Sequence, residues 1–192
     1  MATLSSSFHQ TTESPAIIIP SKPNALTLSY KQLALHVASL QKQLAHLGVA
    51  PSSAVSIALP NSLEFIVIFL AVSYQRAIAA PLNPAYKQAE FEFYIDDLKS
   101  VVAIVPRGAV ESNSPAVGAA RKYRAAIVEC YWDAQRGELI LDVKDKGALQ
   151  NAQTHDVQRA QPDDIALVLH TSGTTGRPKA VCYLVNSLAA VN

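Results

Sequence analysis

The chain has 192 residues, 49% of them hydrophobic and 16% charged, a profile that excludes a disordered segment and fits a folded domain with its own core. Its 16 Lys and Arg against 15 Asp and Glu leave a formal charge of +1, which gives no electrostatic footprint for nucleic acid or an anionic membrane. The two cysteines, Cys130 and Cys182, have no CxxC spacing, so neither a disulfide framework nor a structural zinc site follows, and no other metal site is assigned.

Residues 1–24 are rich in Ser, Thr and Pro and predict an irregular arm, to which Ile17-Ile18-Ile19 adds one short strand. The opening MATLSSSFHQTTES has neither a basic start nor an apolar core, unlike a secretory signal. Ser29 with Gln32 makes a capping box for a helix whose apolar stripe is Tyr30, Leu33, Val37, Leu40, Leu44 and Leu47. Gly48 is its stop signal. His36 and His46 fall off the stripe and are read as partly exposed. Ala54 to Leu59 is a buried strand ended by Pro60, and Asn61 with Glu64 is the expected cap of an apolar helix from Leu63 to Arg76. The longest apolar run, Phe65 to Val72, is far short of the ~20 residues that span a bilayer.

Ile78 to Leu82 is the next strand, and Lys87 to Leu98 the next helix, with Phe91, Tyr94, Ile95 and Leu98 on one side. Asp96-Asp97 is read as a solvent-facing pair, since no His or third carboxylate lies nearby in sequence. Val101 to Val105 is a strand, and Ser114-Pro115 opens a helix with Pro at its first position. Ala125 to Tyr131 and Leu139 to Val143 are further strands, followed by a polar connection over 144–162. Ile165 to Thr171 is a clear apolar strand. This alternation predicts an α/β fold, a mostly parallel sheet with helices on its faces.

The chemistry lies where that last strand ends. Thr171, Ser172, Gly173, Thr174, Thr175, Gly176, Arg177, Pro178 and Lys179 follow one another directly. Glycines let a backbone approach an anion and present N–H groups to it. Hydroxyls add donors, a lysine adds a compact point charge, and a proline limits the flexibility of the loop base. Polyphosphate binding suits this set. The spacing is not that of a Walker A loop, because two residues separate Gly173 from Gly176 and Arg-Pro precedes Lys179. No helix is evident at Gly176; the residues around Val181 read as a returning strand, making a strand–loop–strand hairpin.

The string TSGTTGRPK resembles the phosphate-binding signature of the adenylate-forming (AMP-binding) superfamily, which includes acyl-CoA synthetases, luciferases and peptide-synthetase adenylation domains. The upstream segments LSYKQLALHVASLQKQLAHLGVAPSSAVSIALPNSLEF, FIVIFLAVSYQRAIAAPLNPAY and AEFEFYIDDLKSVVAIV resemble the opening of acyl-CoA synthetases. Gln75-Arg76-Ala77-Ile78, FEFYIDDL and His170 most resemble fungal and plant oxalate–CoA ligase-like (peroxisomal CoA synthetase-like) enzymes. The resemblance covers residues 15–181. It implies ATP with Mg2+, a small-molecule carboxylic acid and CoA as reaction partners, with Thr171 to Lys179 holding the β- and γ-phosphates. An acyl-AMP would form first and a CoA thioester second.

Ala180 stands where the signature usually has glycine, a tolerated variation. After Val181 the family pattern of a turn, a histidine and a helix is not found, and residues 182–192 read as a divergent tail, like a frame change, a read-through intron or a premature stop. The expected division is an arm over 1–24, a partial AMP-binding domain over 25–181, and that tail. The acyl pocket, adenine platform, ribose-binding aspartate and catalytic lysine of the family are expected beyond it, so no catalytic residue is assigned. The chain alone is expected to be inactive and prone to aggregate. The alternatives are a non-catalytic remnant that binds nucleotide weakly or pairs with a full-length paralogue and, against the PLNPAY turn, a peptide-synthetase module. An intracellular location, cytoplasmic or peroxisomal, is expected, although the final Ala-Val-Asn is not a peroxisomal address.

Overall fold

Strands buried on both faces read as continuous apolar runs, and such strands form the centre of this molecule. The structure is a computed structural model that describes residues 11–20, 25–171 and 178–189. In chain order the elements are β1 (Pro15–Ile19), β2 (Leu26–Ser29), α1 (Tyr30–Leu47), β3 (Ala54–Ile57), α2 (Leu63–Tyr74), β4 (Ile78–Pro81) and α3 (Gln88–Leu98). Then come β5 (Val102–Pro106), α4 (Pro115–Lys122), β6 (Ala126–Asp133), β7 (Glu138–Asp145), a 3-10 turn (Gly147–Leu149), β8 (Ile165–Thr171), β9 (Lys179–Leu184) and α5 (Val185–Ala189).

Among the described residues, β1 and β2 pair as an antiparallel ribbon, and the other strands make one sheet in the order β7-β6-β5-β3-β4-β8-β9. The five inner strands run parallel, while β7 and β9 close the two sides as antiparallel hairpin partners of β6 and β8. The expected α/β architecture, a mostly parallel sheet with flanking helices, is what the structure shows.

Alternation along β5 divides the core into two layers. Val102 and Ile104 join Val55 and Ile57 beneath Leu40 and Leu44 of α1 and Val67 and Ile68 of α2. Ala103 and Val105 face the opposite layer, with Phe91 and Ile95 of α3 and Val117 of α4. A polar residue enters this interior where it finds a partner: Ser56 and Ser100 share a buried hydroxyl–hydroxyl bond of 2.7 Å.

Local signals explain most boundaries. Ser29 Oγ accepts the Gln32 N–H at 3.2 Å while the Gln32 side chain accepts the Ser29 N–H at 2.9 Å, completing the capping box of α1. Gly48 ends that helix at φ +99, and a Cβ there would lie 2.5 Å from Ala152 Cβ, so both conformation and close approach require glycine. The start of α2 differs from expectation. Its cap is Ser62, whose hydroxyl accepts the Phe65 N–H at 3.3 Å. Glu64 turns instead to the Trp132 N–H, 3.0 Å away at the end of β6. The same helix stops at Tyr74, because Arg76 takes a left-handed φ of 63 that no helix accommodates. His36 is half-buried, edge-on to Trp132 at 5.4 Å, and His46 is exposed.

Candidate functional site

β8 ends at Thr171 and β9 begins at Lys179, directly opposite in the antiparallel register. The strand–loop–strand hairpin expected from the sequence is therefore present. It lies at the carboxyl end of a parallel strand, the end at which open α/β sheets hold ligands. Thr171 and Lys179 are both exposed, Pro178 is half-buried, and Thr171 Oγ1 lies 3.5 Å from the Lys179 carbonyl oxygen. Ser172, Gly173, Thr174, Thr175, Gly176 and Arg177 lie outside the described residues. What the structure fixes is the frame of the loop: Thr171 and Lys179, a hydroxyl residue and a lysine, paired and exposed at its neck. A cation and a donor so placed can receive a polyanion without first being withdrawn from a core.

The residue before Thr171 points the other way, as alternation along a strand demands. The His170 side chain is 5% exposed, and its Nε2 lies 3.0 Å from Asp97 Oδ2 on α3. A carboxylate can only accept, so Nε2 carries the proton of this bond. The imidazole also lies against Tyr94, with centroids 4.7 Å apart, and edge-on to Phe93 at 6.3 Å. Tyr94 in turn stacks on Tyr86 at 5.3 Å. Burial, then a hydrogen bond with Tyr86, pushes the Tyr94 hydroxyl up to about 12.

Asp97 stays exposed, as the solvent-facing reading of Asp96-Asp97 expected, but it is not without a partner. Asp96 pairs with Lys99 on its own helix end, but Asp97 takes a histidine from 73 positions away. Sequence proximity could not reveal it. A usable signal existed in the helical spacing, which puts Asp97 one turn beyond Tyr94 and thus at the margin of the apolar stripe.

Two further contacts anchor the start of β8. Arg76 grips Asp164 with two bonds, Nε to Oδ2 at 2.9 Å and Nη2 to Oδ1 at 3.0 Å. The Ser73 hydroxyl donates to the Ala166 carbonyl at 3.1 Å. Elsewhere, Cys130 is buried, and burial followed by the Glu64 charge raises its thiol to about 12, so it is a packing residue and not a nucleophile. Among the described residues no helix is long and apolar enough to cross a membrane.

Known proteins place these features in a common frame. An oxalate–CoA ligase of Arabidopsis thaliana is 42% identical over 143 residues, which is 74% of this chain and 27% of that protein. An oxalate–CoA ligase of Saccharomyces cerevisiae is 35% identical over 208 residues, 95% of this chain and 38% of that protein. In fold, the chain is similar to the crystal structure of apo MatB from Rhodopseudomonas palustris, with a TM-score of 0.72 at 21% identity, covering 96% of this chain and 35% of that one. The chain thus spans roughly a third of the length of the relatives it matches. Residues 5–191 match the family described as AMP-binding enzyme. With that match running through the hairpin and the sheet that carries it, the chain belongs to the AMP-binding, adenylate-forming enzyme family.

Proposed function

We propose that this chain is the phosphate-loop-bearing portion of an AMP-forming acid–CoA ligase. In the reaction, a carboxylate attacks the α-phosphate of MgATP and pyrophosphate leaves; the thiol of CoA then displaces AMP to give a thioester. Residues 171–179 would hold the β- and γ-phosphates and then the leaving pyrophosphate, supplying placed positive charge and donors where charge develops. In this reading residues 25–181 are the partial AMP-binding unit and 182–192 a divergent tail. The oxalate–CoA ligase names of two relatives make a small carboxylic acid the favoured substrate class.

What supports the reading is the sequence TSGTTGRPK together with the pairing of its two ends, Thr171 opposite Lys179, in the β8–β9 hairpin. Calorimetry with MgATP tests it. The chain is expected to bind, and Lys179→Ala to weaken binding about tenfold or more, the scale of a lost charge-assisted contact. Equal binding by both proteins would remove the loop from the site. Acid-dependent ATP–pyrophosphate exchange is expected from the full-length ligase and not from this chain alone; exchange by this chain across a panel of carboxylic acids would overturn that expectation.

A further inference from the structure

β8 has a strand partner on both sides at Leu167, but its last residues do not. The register of β8 on β4 has Leu167 opposite Ala79. Two residues later β4 ends at Pro81, which has no N–H to offer a neighbouring strand. Past that point β8 is held laterally by β9, through His170–Ala180 and Thr171–Lys179. A two-stranded ribbon is poorly rigid by itself. The neck of the candidate phosphate loop is therefore at the end of an overhang, and its direction needs a further constraint.

His170 supplies one. Its Nε2 donates to Asp97 Oδ2 at 3.0 Å, and its ring leans on Tyr94. Tyr94 stacks on Tyr86, a residue of the turn that follows β4. The contact runs from the end of β4 through two tyrosines to the last residue before Thr171, while Asp97 fixes the imidazole from one side. We propose that Asp97 and His170 form a strut that orients the β8–β9 neck for polyphosphate, making both of them positioning residues for the nucleotide. This rests on the phosphate-loop reading and adds to it two residues that contact no phosphate themselves.

The test is the affinity of the full chain for MgATP and for inorganic tripolyphosphate, measured by calorimetry well below the melting transition. Asp97→Ala and His170→Ala are each expected to weaken both ligands about tenfold, and the double variant to be no weaker than either single one, as befits one shared contact. His170→Gln keeps a side-chain N–H donor and is expected to stay within about threefold of wild type. A role confined to stability would lower the melting temperature and leave these affinities in place. Wild-type affinity in Asp97→Ala, or losses that multiply in the double variant, would overturn the strut. If His170→Ala does not fold, Asp97→Ala decides alone, since its side chain is 45% exposed on the helix surface. A wild-type chain that binds neither ligand overturns the phosphate-loop reading itself, which separates the two failures.

Discussion

The centre of the sheet and its β8–β9 margin are built from similar apolar strands but are held by different forces. In β3 every residue is buried, as are Val102 to Val105 of β5, with helices above and below. β9 has no buried position, and in β8 Ala166 and Val168 alone are buried. The margin is fastened by polar tethers: Ser73 to Ala166, Arg76 to Asp164, the Val185 N–H to the Asp164 carbonyl at 2.9 Å, and Asp97 to His170. Apolar burial gives the fold its stability without direction, whereas hydrogen bonds fix where a strand end points. A loop proposed to meet phosphates is better served by the second kind of restraint.

Cavities in the centre should produce the largest effect. Ile57 and Ile104 are fully buried in the layer under α1 and α2. Ile57→Ala or Ile104→Ala should each cost about 2–5 kcal/mol, because the surrounding layers can only partly collapse into the space left. Urea denaturation measures this. The protein that remains folded should bind tripolyphosphate as wild type does; a parallel loss of affinity would erase the distinction between the two regions.

The tether at Asp164 comes next, and its signature is a pH dependence. Burial works against ionisation of this carboxyl, but hydrogen bonds from Arg76 and from the Gln161 N–H outweigh it and hold the group below its ordinary value of 3.8. A carboxyl with a lowered folded value stabilises the fold above its ordinary value, and that contribution disappears as pH falls through the lower folded one. Asp164→Asn should therefore melt earlier than wild type at neutral pH. Its melting temperature should also fall less steeply below about pH 4. Parallel melting curves across that range would show that the pair does not fasten the margin.

Much of the centre was legible in the sequence because the same residues announce both element and burial. The stripe from Leu33 to Leu44 with Ser29, Gln32 and Gly48 defines α1 completely, and the run Ile165 to Thr171 defines β8 to the residue. The errors fall where two local solutions compete. Asn61 and Ser62 can both cap α2, and the choice is made by Glu64, which the distant Trp132 N–H claims. Arg76 continues a helical pattern on paper, but Asp164, 88 positions later, holds it outside. At the candidate site the neck residues Thr171 and Lys179 were readable from composition and spacing. For Asp97 the helical spacing marked only its place at the margin of the apolar stripe; its partner His170, 73 positions away, arrives through topology that no local pattern encodes.

The smallest expected effect separates the two faces of β8. Leu169 is 37% exposed, and its neighbour Val168 is 3% exposed on the opposite face. If tethers and not packing hold the margin, Leu169→Ala should cost about 0.5 kcal/mol or less, as surface changes do. Val168→Ala, which removes fewer atoms, should nevertheless cost about 1–2 kcal/mol because those atoms are out of water. An inversion of size and cost is the point of the pair: hydrophobicity alone would rank leucine above valine, and burial ranks them the other way. Should Leu169→Ala cost as much as Val168→Ala, the outer face of the hairpin is covered in solution. A melting temperature that rises with protein concentration would then identify self-association as the cover.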